Sequence, residues 1–255
     1  MAKITVGTDA EVFLKDKNGK YIASCGKFGG TKEKPLPILT GDGYAIQEDN
    51  VALEFNIPPA NNSYAFYAHI AAALDECTQR ATEKGLIIAM DAAANFTTDQ
   101  LRSRQARTFG CDPDYNVWRL AENPRPHCDD PTLRTAAAHV HIGGFTQDNI
   151  GLGRACDLFL GVPSIALDPD TKRRQLYGKA GAIRIKPYGI EYRTLSNFWL
   201  KMYPTWVFNQ ALKAVEFVSN KQMISDDDAR KIIKCINTHD MDLLRELTVR
   251  YQLEY

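Results

Sequence analysis

The stretch that decides the fold is Arg184-Ile-Lys-Pro-Tyr-Gly-Ile-Glu-Tyr-Arg-Thr-Leu-Ser-Asn197. Its centre, Pro187-Tyr-Gly189, predicts a turn, because proline presets φ at one position and glycine tolerates a positive φ. The segments on either side are therefore predicted to be short strands. Glu191 and Arg193 are two residues apart, so they share one face of the second strand.

This charged hairpin admits two interpretations. Arg184 and Lys186 lie just before the turn and add positive charge to the same set. Such a set suits a metal ion held by Glu191 and phosphate groups held by the basic side chains. The alternative is a ladder of cross-strand ion pairs on a solvated sheet face.

The protein has 255 residues, of which 44% are hydrophobic and 24% charged, as in ordinary globular proteins. One large α+β domain can have this length, and no repeat, low-complexity tract or linker divides the chain. We therefore predict a single domain over residues 1–255, helical in its C-terminal portion, about 196–255. In that portion Ser196 is predicted to cap a helix bent at Pro204, and Ser225 and Asp240 to cap the last two helices.

Charge and cysteine usage exclude several protein classes. Lys+Arg and Asp+Glu both number 31, and this zero net charge argues against a protein that mainly coats nucleic acid, although a local phosphate site stays compatible with it. The six cysteines form no CxxC pair, and no signal-like segment precedes the first strand. No apolar run approaches the roughly 18 residues of a membrane span. These features predict a reduced, cytoplasmic protein that does not enter a membrane.

The first predicted strand, Lys3–Leu14, carries Asp9 and Glu11 on one face, two residues apart. Acidic side chains between apolar residues are costly to bury without a partner. Either this face is exposed to solvent, or its carboxylates face a metal ion. The charged strands that follow favour the metal ion.

A second acidic segment, Glu48–Asn56, is predicted to be one strand with alternating faces. Apolar side chains occupy one face, and Glu48, Glu54 and two asparagine amides occupy the other. Carboxylate and amide oxygens are the ligands that Mg²⁺ and Mn²⁺ prefer. The pattern therefore favours a sheet that lines a metal–nucleotide cleft.

Residues 26–40 form a predicted loop rich in glycine and lysine. The loop is not a Walker A sequence, because no GKS or GKT follows at the right spacing. Two interpretations remain: an ordinary surface loop, or a mobile lid that brings Lys32 to a phosphate group and excludes water.

His139 and His141 share one face of a predicted strand that ends in glycines. They are either sheet histidines bonded to neighbours or groups that approach a metal ion or a polyphosphate, and His141 is the preferred site residue. The basic run Lys172–Arg174 has the composition of a solvated surface. Because it closely precedes the Arg184 strand, Arg173 is also a candidate for contacting a nucleotide.

Taken in order, these features are an acidic strand, a second acidic strand, a His-x-His strand and the pattern Arg-x6-Glu-x-Arg. This order resembles the glutamine synthetase-like superfamily, which includes the glutamate–cysteine ligases and the guanidino kinases. The closer resemblance is to the phage-encoded COOH–NH2 ligases of type 2, an amidoligase family. It rests on the blocks Gly7–Glu11, Gly29–Lys32, Glu48–Asn56, Gly110–Asp114, His139–Gly143 and Tyr177–Trp199.

The resemblance implies an α+β fold with helices packed on one face of a curved antiparallel sheet, as in the catalytic domains of glutamine synthetase and the guanidino kinases. It also implies ATP and divalent ions, Mg²⁺ or Mn²⁺, on the concave face. The implied roles are metal binding by Glu11, Glu54 and Glu191, contact with a metal-bound phosphate by His141, acid chemistry near the amine by Glu48, and clamping of the transferred phosphoryl group by Arg184 and Arg193.

The implied reaction is the ATP-dependent joining of a carboxylate to an amine. The carboxylate attacks the γ-phosphate to give an acyl phosphate, and the amine then displaces phosphate. Small molecules or peptides would supply both groups, in the host cytoplasm if the chain is phage-encoded. Two alternatives stay open: a kinase of the same fold acting on a guanidino or carboxyl group, and a non-enzymatic phage structural or interaction protein that retains the fold.

Overall fold

The computed structural model describes residues 3–108 and 114–255. Only Asp114 of the block Gly110–Asp114 therefore lies within the described residues. The strands are β1 Thr5–Lys15, β2 Tyr21–Ile22, β3 Leu36–Pro37, β4 Ala45–Asp49, β5 Ala52–Asn56, β6 Ile87–Ala89, β7 Ala93–Asn95, β8 Tyr115–Asn116, β9 Ala121–Glu122, β10 Leu133–Thr135, β11 Ala138–Gly143, β12 Ala182–Lys186 and β13 Gly189–Tyr192. The helices are α1 Ser63–Glu83, α2 Arg104–Arg107, α3 Asn149–Cys156 with a π-helical continuation Asp157–Gly161, α4 Ser164–Leu167, α5 Lys172–Leu176, α6 Pro204–Ser219, α7 Asp226–Thr238 and α8 Met241–Tyr251.

One large, open, antiparallel sheet organises the described chain. Its strand order is β3-β4-β5-β1-β11-β13-β12-β8-β9, and β2 and β6 also pair with β1. The 11-residue β1 lies near the middle because its first half pairs with β5 and β11 and its end pairs with β2 and β6. The predicted α+β class with an antiparallel sheet and packed helices is confirmed.

The sheet has an apolar face and a charged face. Along β1, Ala10, Val12 and Leu14 are fully buried and belong to the same hydrophobic core as side chains of α1, α3 and α6. Asp9 and Glu11 alternate with them and so point to the other face. Burying the apolar face fixes the register of the strand, because a slip by one residue would exchange the two faces.

The predicted hairpin around Pro187–Gly189 is confirmed as β12 and β13. Gly189 has a φ of 151°, and a Cβ at this position would collide with the carbonyl oxygen of Ile142 on the neighbouring strand. Glycine is therefore required where β13 begins.

The prediction of one strand over Glu48–Asn56 is wrong. β4 ends at Asp49, Asn50 adopts a left-handed conformation with a φ of 54°, and β5 begins at Ala52. Asparagine tolerates this conformation better than most residues, so it makes a tight turn possible within the charged segment.

The predicted start of the C-terminal helices at Ser196 is also wrong. Ser196 forms an isolated bridge with Ala137, and its hydroxyl donates to Asp168 at 2.9 Å. The helix begins at Pro204 instead, because proline suits a first helical position, where its missing N–H is not needed. The predicted caps Ser225 and Asp240 are confirmed.

One helical stretch, Asn149–Leu167, is apolar and long enough to span a membrane by length and composition. Arg154 and Asp157 interrupt the stretch, so it is not a continuous apolar run. The stretch is 67% buried inside the protein, and its first part packs against α6. Its apolar character is therefore that of a core helix.

Candidate functional site

The register of the central strands brings the charged side chains onto one face. Residues that lie opposite each other in an antiparallel pair point to the same side. The pairs on this face are Gln47 with Glu54, Glu54 with Glu11, Asp9 with His139, His141 with Glu191, and Glu191 with Arg184.

Two groups on this face have the composition of metal sites. We call Asp9, His141 and Glu191 the mixed cluster, and Glu11, Asp49 and Glu54 the acidic cluster. Within each cluster the potential ligand atoms lie within 4.8 Å of one another. Asp9 and Glu11 are two residues apart on β1, so this strand contributes to both clusters.

Glu191 is the buried centre of the mixed cluster, with a fully inaccessible side chain. Arg184 Nη1 lies 3.1 and 3.2 Å from its two carboxylate oxygens, Lys186 Nζ lies 2.9 Å from Oε2, and Arg193 also donates to it. Burial alone would raise the pKa of Glu191, but the positive charges of His139, Arg193 and Arg184 lower it to about 2.

The two histidines contact the same aspartate. His139 Nδ1 lies 3.0 Å from Asp9 Oδ1, and His141 Nε2 lies 3.2 Å from the same oxygen. Burial opposes the charged form of Asp9, but the charges of both histidines hold its pKa well below the usual range. Burial also disfavours the charged form of His141, yet Asp9 and Glu191 raise the pKa of this imidazole.

Tyr188 orients the imidazole of His141. Its hydroxyl lies 2.5 Å from His141 Nδ1, and the two rings stack with centroids 6.0 Å apart. Nε2 of His141 is buried, makes no well-formed hydrogen bond with the described residues, and faces Asp9. The imidazole is therefore held by one nitrogen and presents the other to the cluster.

The acidic cluster contains carboxylates in an enclosed position. Glu11 Oε2 accepts the backbone N–H of Ala137 at 2.8 Å, but burial and the charge of Asp49 raise the pKa of Glu11 to about 8. Burial, followed by the charges of Asp9 and Glu11, raises the pKa of Glu54 well above its usual range. A bound cation would relieve this crowding of like charges.

Three predicted basic residues, Lys32, Arg173 and Arg193, lie close to the acidic cluster. The charge of Lys32 partly offsets the burial that raises the pKa of Asp49, so this loop lysine lies near the acidic cluster. Arg193 and Arg173 line a cavity of about 60 Å³ together with Glu11 and Asp49. Arg184 and Lys186 contact Glu191 of the mixed cluster instead.

Arg173 also has a structural role. Nη1 donates to the carbonyl of Thr194 at 2.8 Å, and Nη2 donates to the carbonyl of Arg193 at 3.0 Å. Burial lowers the pKa of Arg173 to about 10, and Glu11 opposes that shift. The guanidinium therefore holds the chain just beyond β13 and sets the position of Arg193.

Glu48 is not brought to the site. In the β4–β5 hairpin it pairs with Leu53, so it lies on the apolar face, whereas Gln47 pairs with Glu54. Its carboxylate accepts four backbone N–H groups, those of residues 26–29, at 2.6–2.9 Å. Glu48 therefore holds the glycine-rich loop through hydrogen bonds from β4.

The sequence predictions gave no role to three residues that contact the charged face: Asp49, Tyr188 and Asp114. Asp9 was predicted to share a strand face with Glu11 that could face a metal ion, but it was not named as a ligand. The position of Asp9 beside Glu11 was a usable signal, because both lie on one strand face. Asp49 could be recognised only after the turn at Asn50 was known. Asp114, whose Oδ2 lies 3.5 Å from Arg193 Nε, comes from a distant part of the chain.

Comparison with known proteins gives one family match. Residues 135–239 match the model described as Phage phiEco32-like COOH.NH2 ligase-type 2. No curated protein matches the chain. The matched segment contains β11, β12 and β13 and therefore most of the mixed cluster, whereas β1, β4 and β5 precede it. The match confirms the family resemblance found in the sequence, that to the phage-type COOH–NH2 ligases of type 2.

Proposed function

We propose that the protein is an ATP-dependent carboxylate–amine ligase with a glutamine synthetase-like sheet. The observation that carries the proposal is the pair of metal-type clusters on one sheet face, with cationic side chains around one of them. The ligase description of the matched family supports the same reaction class. A reaction that brings a carboxylate towards a triphosphate needs positive charge at both groups.

The side chains present fit divalent ions. The acidic cluster, Glu11, Asp49 and Glu54, offers only carboxylate oxygens and suits Mg²⁺ or Mn²⁺. The mixed cluster, Asp9, His141 and Glu191, adds one imidazole nitrogen and suits Mn²⁺ better than Mg²⁺. Bound there, the ions would supply Lewis acidity and neutralise phosphate charge.

The chain's own cations perform the second part of the task. Arg184, Lys186 and Arg193 contact Glu191 and together exceed its charge. They are placed to donate to phosphoryl oxygens as a substrate carboxylate attacks the γ-phosphorus and ADP leaves. The amine nitrogen then attacks the acyl carbon, its proton passes to the departing phosphate, and inorganic phosphate leaves with the electron pair of the broken C–O bond.

The glycine-rich loop is the candidate lid. Glu48 anchors residues 26–29 through their backbone N–H groups, and Lys32 lies within electrostatic reach of Asp49. A lid is needed because water hydrolyses acyl phosphates. We assign Glu48 to holding this loop in place of the predicted acid role near the amine.

Calorimetric titration of Mg²⁺–ATP and Mn²⁺–ATP tests the proposal. We expect binding to the wild type and a loss of at least about tenfold in affinity for Glu54→Gln and Glu191→Gln, because each variant removes a metal-ligand charge. Glu83→Gln, an exposed carboxylate at the end of α1, is the matched control and should bind like the wild type. A folded wild type that binds neither complex would contradict the proposal.

Product analysis separates the ligase from a kinase. Incubation with ATP, mixed carboxylic acids and amines should release ADP and phosphate and yield an amide detectable by mass spectrometry. A phosphorylated product that accumulates without any amide would instead assign the site to a kinase.

A further inference from the structure

A second, larger cavity adjoins the candidate site. It has a volume of about 440 Å³ and lies between the β8–β9 hairpin, the chain after that hairpin, the end of α5 and one side of α7. Small-molecule sites typically measure about 300–1,000 Å³. The cavity beside the acidic cluster, at about 60 Å³, is too small for a whole substrate.

The two cavities share part of their walls. Asp114 and Tyr177 line both of them. Asp114 Oδ2 lies 3.5 Å from Arg193 Nε, and Arg193 contacts Glu191 of the mixed cluster. The larger cavity therefore lies next to the mixed cluster, with Asp114 and Arg193 between them.

The larger cavity carries surplus positive charge. Arg119, Arg125 and Lys179 line it, and Asp114 is the only carboxylate among its described lining residues. Within residues 3–108 and 114–255, Arg125 and Lys179 form no ion pair, and Arg119 donates to the neutral amide of Asn123 at 2.7 Å. Asp114 is itself paired with Arg193. The positive charges of Arg119, Arg125 and Lys179 are therefore available to bind a negatively charged group of a ligand.

We propose that this cavity binds the acid substrate, and that the substrate is a small polyanion with at least one carboxylate besides the one that reacts. The assignment deepens the proposed ligase function and rests on it. ATP phosphates have separate cationic partners in Arg184, Lys186 and Arg193, so the cations of the larger cavity are left for the other anionic reactant.

The matched probes are glutarate and pentanoate, which have the same chain length and differ by one carboxylate. Glutamate and a Glu-Glu dipeptide extend the set of polyanions. Calorimetry in Mg²⁺ at low salt should show at least one polyanion binding about tenfold more tightly than pentanoate, because a charge-assisted hydrogen bond distinguishes them. Raising the ionic strength should weaken that binding.

Variants locate the binding. Arg125→Gln and Lys179→Gln should each weaken the polyanion by about tenfold and leave Mg²⁺–ATP within about twofold. Arg245→Gln removes an exposed arginine of α8 that does not line the cavity, and should change neither affinity. Melting temperatures verify that the variants, all at surface positions, remain folded.

Three results would overturn the assignment: no polyanion of the set binds, glutarate and pentanoate bind equally with no effect of the cavity variants, or the variants weaken Mg²⁺–ATP instead of the polyanion. Failure of the ligase proposal itself gives a different pattern. If Mg²⁺–ATP never binds but the polyanion preference and its loss in Arg125→Gln persist, the anion site stands and the ligase assignment falls.

Discussion

The mixed cluster and the acidic cluster occupy one sheet face, and β1 gives a carboxylate to each, yet their charge balance is opposite. Glu191 contacts three cationic side chains, and the positive groups around it lower its pKa to about 2. Glu11 is buried beside another carboxylate, and its pKa rises to about 8.

The difference shows which charges the protein supplies and which it needs. In the mixed cluster the protein's own cationic side chains neutralise Glu191, and the surplus positive charge is available for phosphate oxygens. The acidic cluster holds carboxylates that repel one another, and the nearby charges of Lys32 and Arg173 do not bring the pKa of Glu11 back to its usual range. A divalent cation would supply the missing counter-charge. One strand thus contributes a carboxylate to a cluster with surplus cationic side chains and, two residues further on, a carboxylate to a cluster of crowded acids.

Breaking the mixed cluster should have the largest effect on the free energy of unfolding. Glu191→Gln leaves Arg184, Lys186 and Arg193 without their buried counter-charge, and removing one partner of a buried pair costs about 3–5 kcal/mol. We expect urea unfolding in EDTA to show a loss of that size. Glu83→Gln should change stability by less than about 0.5 kcal/mol. Equally small losses in the two variants would show that Glu191 is not the charge centre.

Asp157 shows how much burial alone, without a neighbouring carboxylate, raises the pKa of an acidic side chain. This carboxylate is fully inaccessible and accepts from Trp118 Nε1 at 2.6 Å and from the Tyr192 hydroxyl at 2.7 Å. Burial raises its pKa from 3.8 to about 7 despite these donors. Between these pH values the folded state keeps a proton that the unfolded state releases. The contribution of Asp157 to the free energy of unfolding therefore falls by about 4 kcal/mol as the pH rises from about 4 to about 7.

Asp157→Asn keeps an oxygen acceptor but cannot ionise. Its stability relative to the wild type should therefore be greater at pH 8 than at pH 4, as measured by urea unfolding at both values. A stability difference that does not change with pH would mean that burial alone does not raise the pKa of carboxyl groups in this protein. The high pKa of Glu11 would then have to come from its neighbouring carboxylates.

Removing a carboxylate from the acidic cluster should change the free energy of unfolding in the opposite direction to removing Glu191 from the mixed cluster. In EDTA, Glu54→Gln removes a repelling charge, so stability should stay constant or rise by up to about 1 kcal/mol. Mn²⁺ at a hundred times its Kd should stabilise the wild type by about 2.7 kcal/mol and the variant far less. Calorimetric unfolding with and without Mn²⁺ measures both effects. A large loss of stability in EDTA would show that Glu54 has an internal counter-charge.

Tyr188 tests whether His141 acts as a ligand. Tyr188→Phe keeps the stacked ring but removes the hydroxyl at 2.5 Å from Nδ1, and losing such a partner of a metal-binding histidine lowers metal affinity about 10–100-fold. Mn²⁺ titration should show this loss with little change in melting temperature. Tyr64→Phe, at an exposed tyrosine of α1, is the control. Equal Mn²⁺ affinity in both variants would remove His141 from the ligand set.

Local sequence patterns predicted the parts of the site that depend on strand alternation. Glu191 and Arg193, and likewise His139 and His141, share a face because the side-chain period of a strand is two. The alternation failed at Asn50, where a single left-handed residue turned one predicted strand into a hairpin. Such a turn is a local choice of backbone conformation, and hydrophobic periodicity does not register it.

Contacts between distant segments could not be predicted in the same way. Asp114 reaches Arg193 across many residues of intervening chain, and the larger cavity is formed by three separate segments. Their proximity results from sheet order and helix packing, which depend on the whole chain. The resemblance to a known family implied metal binding by Glu11, Glu54 and Glu191, and this stays a prediction, although all three lie in the two clusters. The resemblance did not predict which face Glu48 would take.

A substitution of Glu48 tests directly on which sheet face this residue lies, and its expected effect is the smallest. If Glu48 anchors the loop, Glu48→Ala should make the backbone amides of residues 26–29 exchange with deuterium at least about tenfold faster, because it removes four hydrogen bonds to a carboxylate. The loop is partly exposed and water replaces much of the lost bonding, so global stability should fall by only about 1 kcal/mol. Mn²⁺ affinity should stay within about twofold, since Glu48 lies on the opposite sheet face from Glu54. A loss of Mn²⁺ binding comparable to that in Glu54→Gln would return Glu48 to the metal face and refute the hairpin register.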